Sequence, residues 1–177
     1  SSMYWLTPMP EDFTEEAVDA ALKNARFGFP VTGFKQAAIS AAYRMGWARD
    51  KMSLRGAFYI TPDANGYYAG DLVLNDTKTK IEIVPNVFLH NQLIEIKGCG
   101  PVMRQDMVKV GLGAADIRYR AEFSEWYCDM QIRYNVNGEK TADQIINILN
   151  AGGYACGVGE WRPERDGQNG MYHVELI

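Results

Sequence analysis

The residues best suited to chemistry in this sequence lie in one glycine-flanked segment, residues 157–170. It contains Trp161, Arg162 and Arg165. Glycine lets a backbone approach a phosphate closely, arginine binds phosphate through a forked set of N–H groups, and an indole ring can stack on a base. Three acidic residues of the same segment would neutralise the arginines on an ordinary surface loop. They are Glu160, Glu164 and Asp166. Two interpretations therefore stay open, a nucleic-acid site and a solvated loop.

A second cationic candidate is Lys35, which follows Pro30 and Gly33. The pattern places the lysine in the first turn of a helix, where backbone N–H groups favour an anion. Pro30 and Gly33 could equally serve only to fix the entry of a packed helix. If the helix start does bind an anion, Lys35 is a candidate phosphate contact.

Four more cations belong to two neighbouring segments. Arg118 and Arg120 alternate with apolar residues and should share the polar face of a strand, which would suit a nucleic-acid backbone. Nearby acids could pair with them instead. Arg104 and Lys109 lie in residues 98–113, whose glycines predict a loop that is either mobile or used in binding.

The sequence offers no recognisable catalytic motif. It lacks a nucleophile beside a base, a Walker lysine and the third glycine of a dinucleotide site. The two histidines, His90 and His173, stand in no such context. The three cysteines are an odd number and widely spaced, so neither a disulfide framework nor a zinc site is predicted. We therefore expect a protein that is not an enzyme and that holds no metal and no cofactor.

Composition indicates a globular protein of ordinary size. The chain has 177 residues, of which 47% are hydrophobic and 23% charged, and its net charge is −4. These values predict a single domain over residues 1–177, and the order of the helices and strands predicted below makes it α+β. No apolar run is long enough to span a bilayer, so we expect no membrane partner and a cytoplasmic location. The negative charge argues against coating duplex DNA by bulk electrostatics.

The local patterns predict the elements in order. A helix capped by Asp12 or Thr14 should run to about Ala25, and a second should cover residues 31–44 and stop at Gly46. Strands are predicted at residues 56–60, 71–74, 80–84 and 93–97, so that residues 55–100 form an excursion rich in β-hairpins. Residues 117–123 and 126–134 should pair as a hairpin. A capping box at Thr141 should start a last helix ended by Gly152 and Gly153, with strands at 154–158 and 171–177.

Two segments carry a resemblance to a known superfamily. Residues 29–38, FPVTGFKQAA, and residues 157–164, GVGEWRPE, resemble the helix start and the glycine-rich loop of the RAMP superfamily. That superfamily comprises ferredoxin-like RNA-binding proteins, including the backbone subunits of CRISPR effector complexes. The chain is also similar, through residues 29–42, 115–123 and 150–163, to a family of uncharacterised proteins of tailed bacteriophages and prophages. Those phage proteins carry an additional first strand before the position of Met3, which implies a sheet edge that is open or filled by a partner.

The resemblance implies a phage-encoded protein with a RAMP-like, ferredoxin-like antiparallel sheet and its helices on one face. It would bind single-stranded nucleic acid, RNA before DNA, in the bacterial cytoplasm without catalysis, and could form a homo-oligomer along the strand. The expected contacts are Lys35, Arg104, Lys109, Arg118, Arg120, Trp161, Arg162 and Arg165. The alternative is a protein-binding module, either an inhibitor or mimic of a host defence complex of the CRISPR type or a phage structural component.

Overall fold

The computed structural model of the chain describes residues 3–62, 67–68, 72–74, 81–83, 92–111 and 113–177. The elements in these residues confirm the α+β class. The helices are α1 (Glu15–Leu22), α2 (Val31–Arg44), α3 (Lys51–Arg55) and α4 (Ala142–Ala155). The strands are β1 (Tyr4–Trp5), β2 (Phe27–Pro30), β3 (Phe58–Pro62), β4 (Tyr67–Tyr68), β5 (Leu72–Leu74), β6 (Ile81–Ile83), β7 (Gln92–Cys99), β8 (Val102–Val110), β9 (Ala114–Glu122), β10 (Glu125–Tyr127) and β11 (Met130–Tyr134). Among the described helices, none has the length and apolar character needed to cross a membrane.

Backbone contacts divide the chain into two compact units. The first unit comprises Pro30–Ile94 and Asp129–Ile177, and the second comprises Ser2–Phe29 and Glu95–Cys128. The first unit therefore holds α2, β3, β11 and α4, whereas the second holds α1 and the long strands β8 and β9.

Two helices form the centre of the first unit. α2 spans Val31–Arg44 as predicted, and Gly46 follows it with a positive φ of 72°. The predicted capping box begins α4, because the Thr141 hydroxyl accepts from the Gln144 N–H while the Gln144 side chain accepts from the Thr141 N–H. The two helices pack on each other and bury a stripe of small residues. This stripe on α2 consists of Ala37, Ala38, Ala41 and Ala42.

The prediction that Gly152 and Gly153 end the last helix is wrong. α4 continues through both to Ala155, so the strand predicted at residues 154–158 is also wrong. A Cβ at Gly152 would lie 2.7 Å from the backbone N and Cα of Ala38. A Cβ at Gly153 would meet the carbonyl oxygen of Tyr172. The glycines therefore allow close approach of neighbouring backbone rather than terminating the helix.

The first unit also contains the antiparallel pair β3–β11, with Ile60 opposite Ile132. This pairing contradicts the predicted hairpin between residues 117–123 and 126–134. β10 instead pairs with β7, and β11 with β3. Gly98 permits the pairing of β10 with β7, because a Cβ at this position would collide with the carbonyl oxygen of Glu125.

The second unit is built on a sheet with the strand order β1–β2–β7–β10. Phe27 on β2 is buried, and its ring lies 4.5 Å from the Trp5 ring and 6.4 Å from the Phe123 ring. Among the short strands predicted in the middle of the chain, β5 and β6 pair as an antiparallel hairpin. Much of the predicted excursion over residues 55–100 lies outside the described residues, as does His90.

The prediction of a loop over residues 98–113 is wrong. Val102–Val110 form β8, which pairs over its whole length with β9 in a two-stranded ribbon. The glycines at 98, 100, 111 and 113 flank the strand and do not interrupt it. The strand escapes a hydrophobicity pattern because each of its faces mixes polar and apolar residues, with Asp106 beside Val108 on one face and Lys109 beside Met107 on the other.

Three further differences concern the ends of elements and their order. α1 ends at Leu22 rather than near Ala25, and Thr14 is its cap. Residues 171–177 form no strand and are held instead by isolated hydrogen bonds, such as the one that the Val174 N–H donates to the Asn150 side chain. The strands within the described residues show antiparallel sheets but not the ferredoxin-like order.

Candidate nucleic-acid interface

The eight residues predicted from the sequence divide equally between the two units. Lys35, Trp161, Arg162 and Arg165 belong to the first unit. Arg104, Lys109, Arg118 and Arg120 belong to the second, on the β8–β9 ribbon. The predicted residues are thus distributed over both units.

The ribbon does place its arginines on one face, as the period of two predicts for Arg118 and Arg120. In the β8–β9 register Arg104 lies opposite Arg120, and Asp106 lies opposite Arg118. Since residues of one parity share a face, acids and arginines of both strands stand side by side. The face includes Arg104, Asp106, Asp116, Arg118, Arg120 and Glu122. Three arginines are therefore balanced by three acids.

Ion pairs connect most of this face. Arg104 donates to both carboxylate oxygens of Asp106 at 2.9 Å and to Glu122 at 2.6 Å. Arg120 donates to Asp106 at 2.8 Å. The two guanidinium groups hold the pKa of Asp106 below its usual range, and hydrogen bonds to Asp106 and then Glu122 raise the pKa of Arg104. A phosphate would therefore have to displace carboxylates to reach these arginines.

The other two ribbon cations differ from this network. The Nε atom of Arg118 lies 3.9 Å from an Asp116 carboxylate oxygen, at the limit of an ion pair. Lys109 pairs across the ribbon with Ala115 and so points to the face opposite the arginines. Lys109 is exposed and makes no ion pair within the described residues. The predicted cationic track along the ribbon is thus neutralised over most of its length.

Arg162 in the glycine-flanked segment is also engaged. Its guanidinium donates to the Gly159 carbonyl at 2.9 Å and to one carboxylate oxygen of Glu164 at 3.0 Å. The other oxygen of Glu164 accepts from Arg44 on α2 at 3.1 Å. Beside this group the buried thiol of Cys156 has its pKa raised, chiefly by desolvation. Arg162 and Glu164 therefore fasten the segment to α2, which is a structural role.

Trp161 is held in an unusual conformation. Its φ of 51° is left-handed, a region that side chains with a Cβ rarely adopt, and its side chain is 66% exposed. The backbone around it is fixed, since its carbonyl accepts from the Asn169 N–H at 2.9 Å. A large ring held in a strained backbone and left in solvent is a feature expected of a binding site. Arg165, four residues on, is exposed and without an ion pair in the described part of the chain.

The ammonium group of Lys35 contacts neighbouring groups of the protein. Its Nζ donates to the Arg55 carbonyl at 2.7 Å and lies 4.4 Å from the centre of the Tyr59 ring. Partial burial lowers the pKa of Lys35. The ammonium group thus forms a cation–π contact beside β3.

The contact of Lys35 points to two residues that the sequence analysis missed. Tyr59 on β3 is 58% exposed, and Arg133 on β11 lies directly opposite it. Arg133 is exposed and has no ion pair among the described residues. Tyr59 and Arg133 lie on the outer face of the β3–β11 pair, because their neighbours Phe58 and Ile60 are buried. Only the register could have revealed this pairing, since 133 − 59 = 74 positions separate Tyr59 from Arg133 along the chain.

The remaining chemistry of the described residues is sparse. They contain no group of three or more His, Cys, Asp or Glu side chains that could hold a metal ion. Comparisons of the chain with models of protein families, with curated proteins and with solved structures found no match. The aromatic and cationic groups of the first unit, Lys35–Tyr59–Arg133 and Trp161–Arg165, are therefore the candidate site on which a function can be argued.

Proposed function

We propose that this chain is a non-enzymatic protein that binds single-stranded nucleic acid, RNA before DNA, at exposed rings of the first unit. The observation that carries the proposal is the Tyr59 ring, which is exposed on the outer face of β3, contacts Lys35 and has Arg133 as its cross-strand partner. The Nζ atom of Lys35 is 4.4 Å from the ring centre, and Arg133 stands opposite on β11.

This arrangement supplies the two interactions that unpaired nucleotides offer. A base can stack on the open side of Tyr59, and the guanidinium of Arg133 can meet the adjoining phosphate. Trp161 and Arg165 repeat the combination of a ring and a cation in the glycine-flanked segment. Base stacking contributes about 1–3 kcal/mol per base and needs little bulk charge. Such binding is compatible with a net charge of −4.

The proposal includes the fold and origin that the resemblance implies. In a ferredoxin-like unit, a helix leads into a strand that pairs antiparallel with a later strand, which leads into a second helix on the same face. The segments α2–β3 and β11–α4 are consistent with that middle portion, because β3 pairs with β11 and α2 packs on α4. We therefore propose a RAMP-like, phage-encoded protein that acts in the bacterial cytoplasm.

Equilibrium binding to a fluorescently labelled 12-nucleotide oligo(U), and to the matching oligo(dT), tests the proposal at several salt concentrations. Tyr59→Ala should weaken binding about 5- to 150-fold, the equivalent of one stacked base, while Tyr59→Phe should bind like the wild type. Arg133→Ala should reduce the slope of log K against log salt by about 0.7. A matched control is Tyr127→Ala in the second unit, whose ring is also 58% exposed and has a lysine, Lys97, at 5.9 Å.

Two results would contradict the proposal. One is the absence of binding to either oligonucleotide at low salt. The other is an equal loss of affinity in Tyr59→Ala and Tyr127→Ala, which would deny Tyr59 a special role. Failure of all binding would favour the protein-binding alternative, an inhibitor or mimic of a host defence complex or a phage structural component, with the exposed Trp161 as an anchor residue.

A further inference from the structure

The outer edge of β9 is the feature of the second unit that the proposed function does not use. Within the described residues, β8 and β9 form a sheet of two strands, so each has an edge without a strand partner. α1 packs against β8, and Val18 of α1 is buried. The residues of β9 from Ala114 to Arg118 are all exposed. An exposed strand edge of this kind presents unpaired N–H and carbonyl groups to another strand.

The same end of the ribbon exposes apolar side chains. Met107 lies opposite Ile117, and the two side chains are 78% and 54% exposed. They occupy the face opposite the arginines, because odd and even positions of a strand alternate between faces. Covering these two large apolar side chains with another surface would remove apolar area from water and so stabilise the complex that covers them.

We propose that β9 pairs antiparallel with β9 of a second copy of this chain, around a two-fold axis at Ile117. In that register Asp116 of each copy stands opposite Arg118 of the other, and the two Ile117 side chains meet. The two ribbons join into one four-stranded antiparallel sheet. A row of Met107, Ile117, Ile117 and Met107 then crosses its apolar face.

Charge complementarity within the exposed residues of β9 favours this register and this occupant. Antiparallel pairing about a two-fold axis places residues of equal parity opposite each other. An axis at residue 116 would place Asp116 of one copy opposite Asp116 of the other, and an axis at residue 118 would do the same with Arg118. An axis at 119 or at 120 would also oppose like charges, because arginines would then face arginines across the axis. Among axes from 116 to 120, the one at Ile117 alone opposes no like charges and forms two Asp–Arg pairs.

The carboxylate and guanidinium that this pairing needs are available. Asp116 and Arg118 are both more than half exposed, and their contact within one copy is only the 3.9 Å approach between Nε and Oδ2. The stronger pairs of the ribbon, which join Arg104 and Arg120 to Asp106, involve neither residue and can remain in place.

The test measures the mass of the full chain by sedimentation equilibrium from about 1 to 500 µM, a range that covers weak and moderate dimers. The wild type should show a concentration-dependent dimer. Asp116→Arg and Arg118→Asp each replace two attractive pairs by two repulsive ones, so each variant alone should raise the dissociation constant about tenfold or more. An equimolar mixture of the two variants should recover the wild-type dimer, because every Asp116→Arg chain then meets an Arg118→Asp chain.

The mixture separates pairing between copies from damage to one copy, since each variant keeps its own defect when mixed. Lys109→Asp is the matched control, because it makes the same change of charge at the same end of the ribbon but away from the β9 edge. It should dimerise like the wild type. A wild-type chain that stays monomeric over the whole range would overturn the proposal, and so would single variants that dimerise normally or a mixture that stays monomeric.

Discussion

Replacement of Gly152 by alanine tests how far the first unit depends on close packing of its two long helices. A Cβ at this position would lie 2.7 Å from the backbone of Ala38, whereas ordinary contact begins at 3.4 Å. The three nearest atoms are all backbone atoms of α2, so the helices must separate by about 0.7 Å, the difference between these two distances. That movement loosens contacts around Ile148 and Leu149, both fully buried in α4.

The expected cost follows from two opposing terms. Overpacking of a tight core costs about 1–3 kcal/mol, and a rigid backbone obstacle places this case in the upper half of that range. Alanine recovers up to about 1 kcal/mol over glycine within a helix. The free energy of unfolding of Gly152→Ala should therefore fall by about 1–2 kcal/mol, which lowers the melting temperature by roughly 2–8 °C in a chain of this length.

Urea and thermal denaturation followed by circular dichroism measure this change. Gly56→Ala is the matched control, because a Cβ at Gly56 would meet no atom within 4 Å and its φ is not positive. That variant should be as stable as the wild type or slightly more so. If Gly152→Ala proved as stable as the wild type, close approach of α2 would not be the reason for glycine at this position.

Three further predictions concern single residues. Arg26 donates to Glu95 at 2.8 and 2.6 Å, and this hydrogen bonding lowers the pKa of Glu95. The pair stabilises the fold at pH values above about 4.3, the pKa of Glu95 in the unfolded chain, and this stabilisation is lost as the pH falls through the lowered pKa of Glu95 in the folded protein. Glu95→Gln should therefore lower the urea midpoint at pH 7, and the difference from the wild type should shrink in acid. Exposed Cys99 should react with iodoacetamide in the native protein, whereas buried Cys156 should react only in urea, as mass spectrometry of digests would show. Trp161→Gly should keep or raise the free energy of unfolding by up to about 1 kcal/mol in urea titrations, because glycine accepts the left-handed φ without strain.

Local signals in the sequence were sufficient where a few neighbouring residues determine the structure. The capping box at Thr141 depends on hydrogen bonds within one helical turn, and the start of α2 at Val31 follows directly on Pro30, whose φ is fixed; both predictions are confirmed. Gly152 shows the opposite case. A glycine that ends a helix and a glycine that admits a neighbouring backbone look alike in sequence, and only the position of Ala38 distinguishes them.

Strand pairing explains why the predicted site changed. The period of two correctly placed Arg118 and Arg120 on one face of a strand. It could not show that β8 would bring Asp106 between them and Arg104, because residues 98–113 carry the glycines of a loop. A shift of one residue in the register moves every side chain of a strand to the other face of the sheet. Strand pairing, and not composition, therefore decides whether an arginine of β9 lies beside an acidic residue of β8.

The two proposals use different residues in different units, and this separation gives each test its meaning. Tyr59 and Arg133 belong to the first unit, whereas Asp116 and Arg118 belong to the second. If Tyr59→Ala loses oligonucleotide binding but still forms the dimer, the effect belongs to the stacking site. If Arg118→Asp loses the dimer but still binds a 12-nucleotide strand, the effect belongs to the edge of β9. A single substitution that abolished both would indicate that the chain behaves as one cooperative structure, and neither surface could then be assigned from that substitution alone.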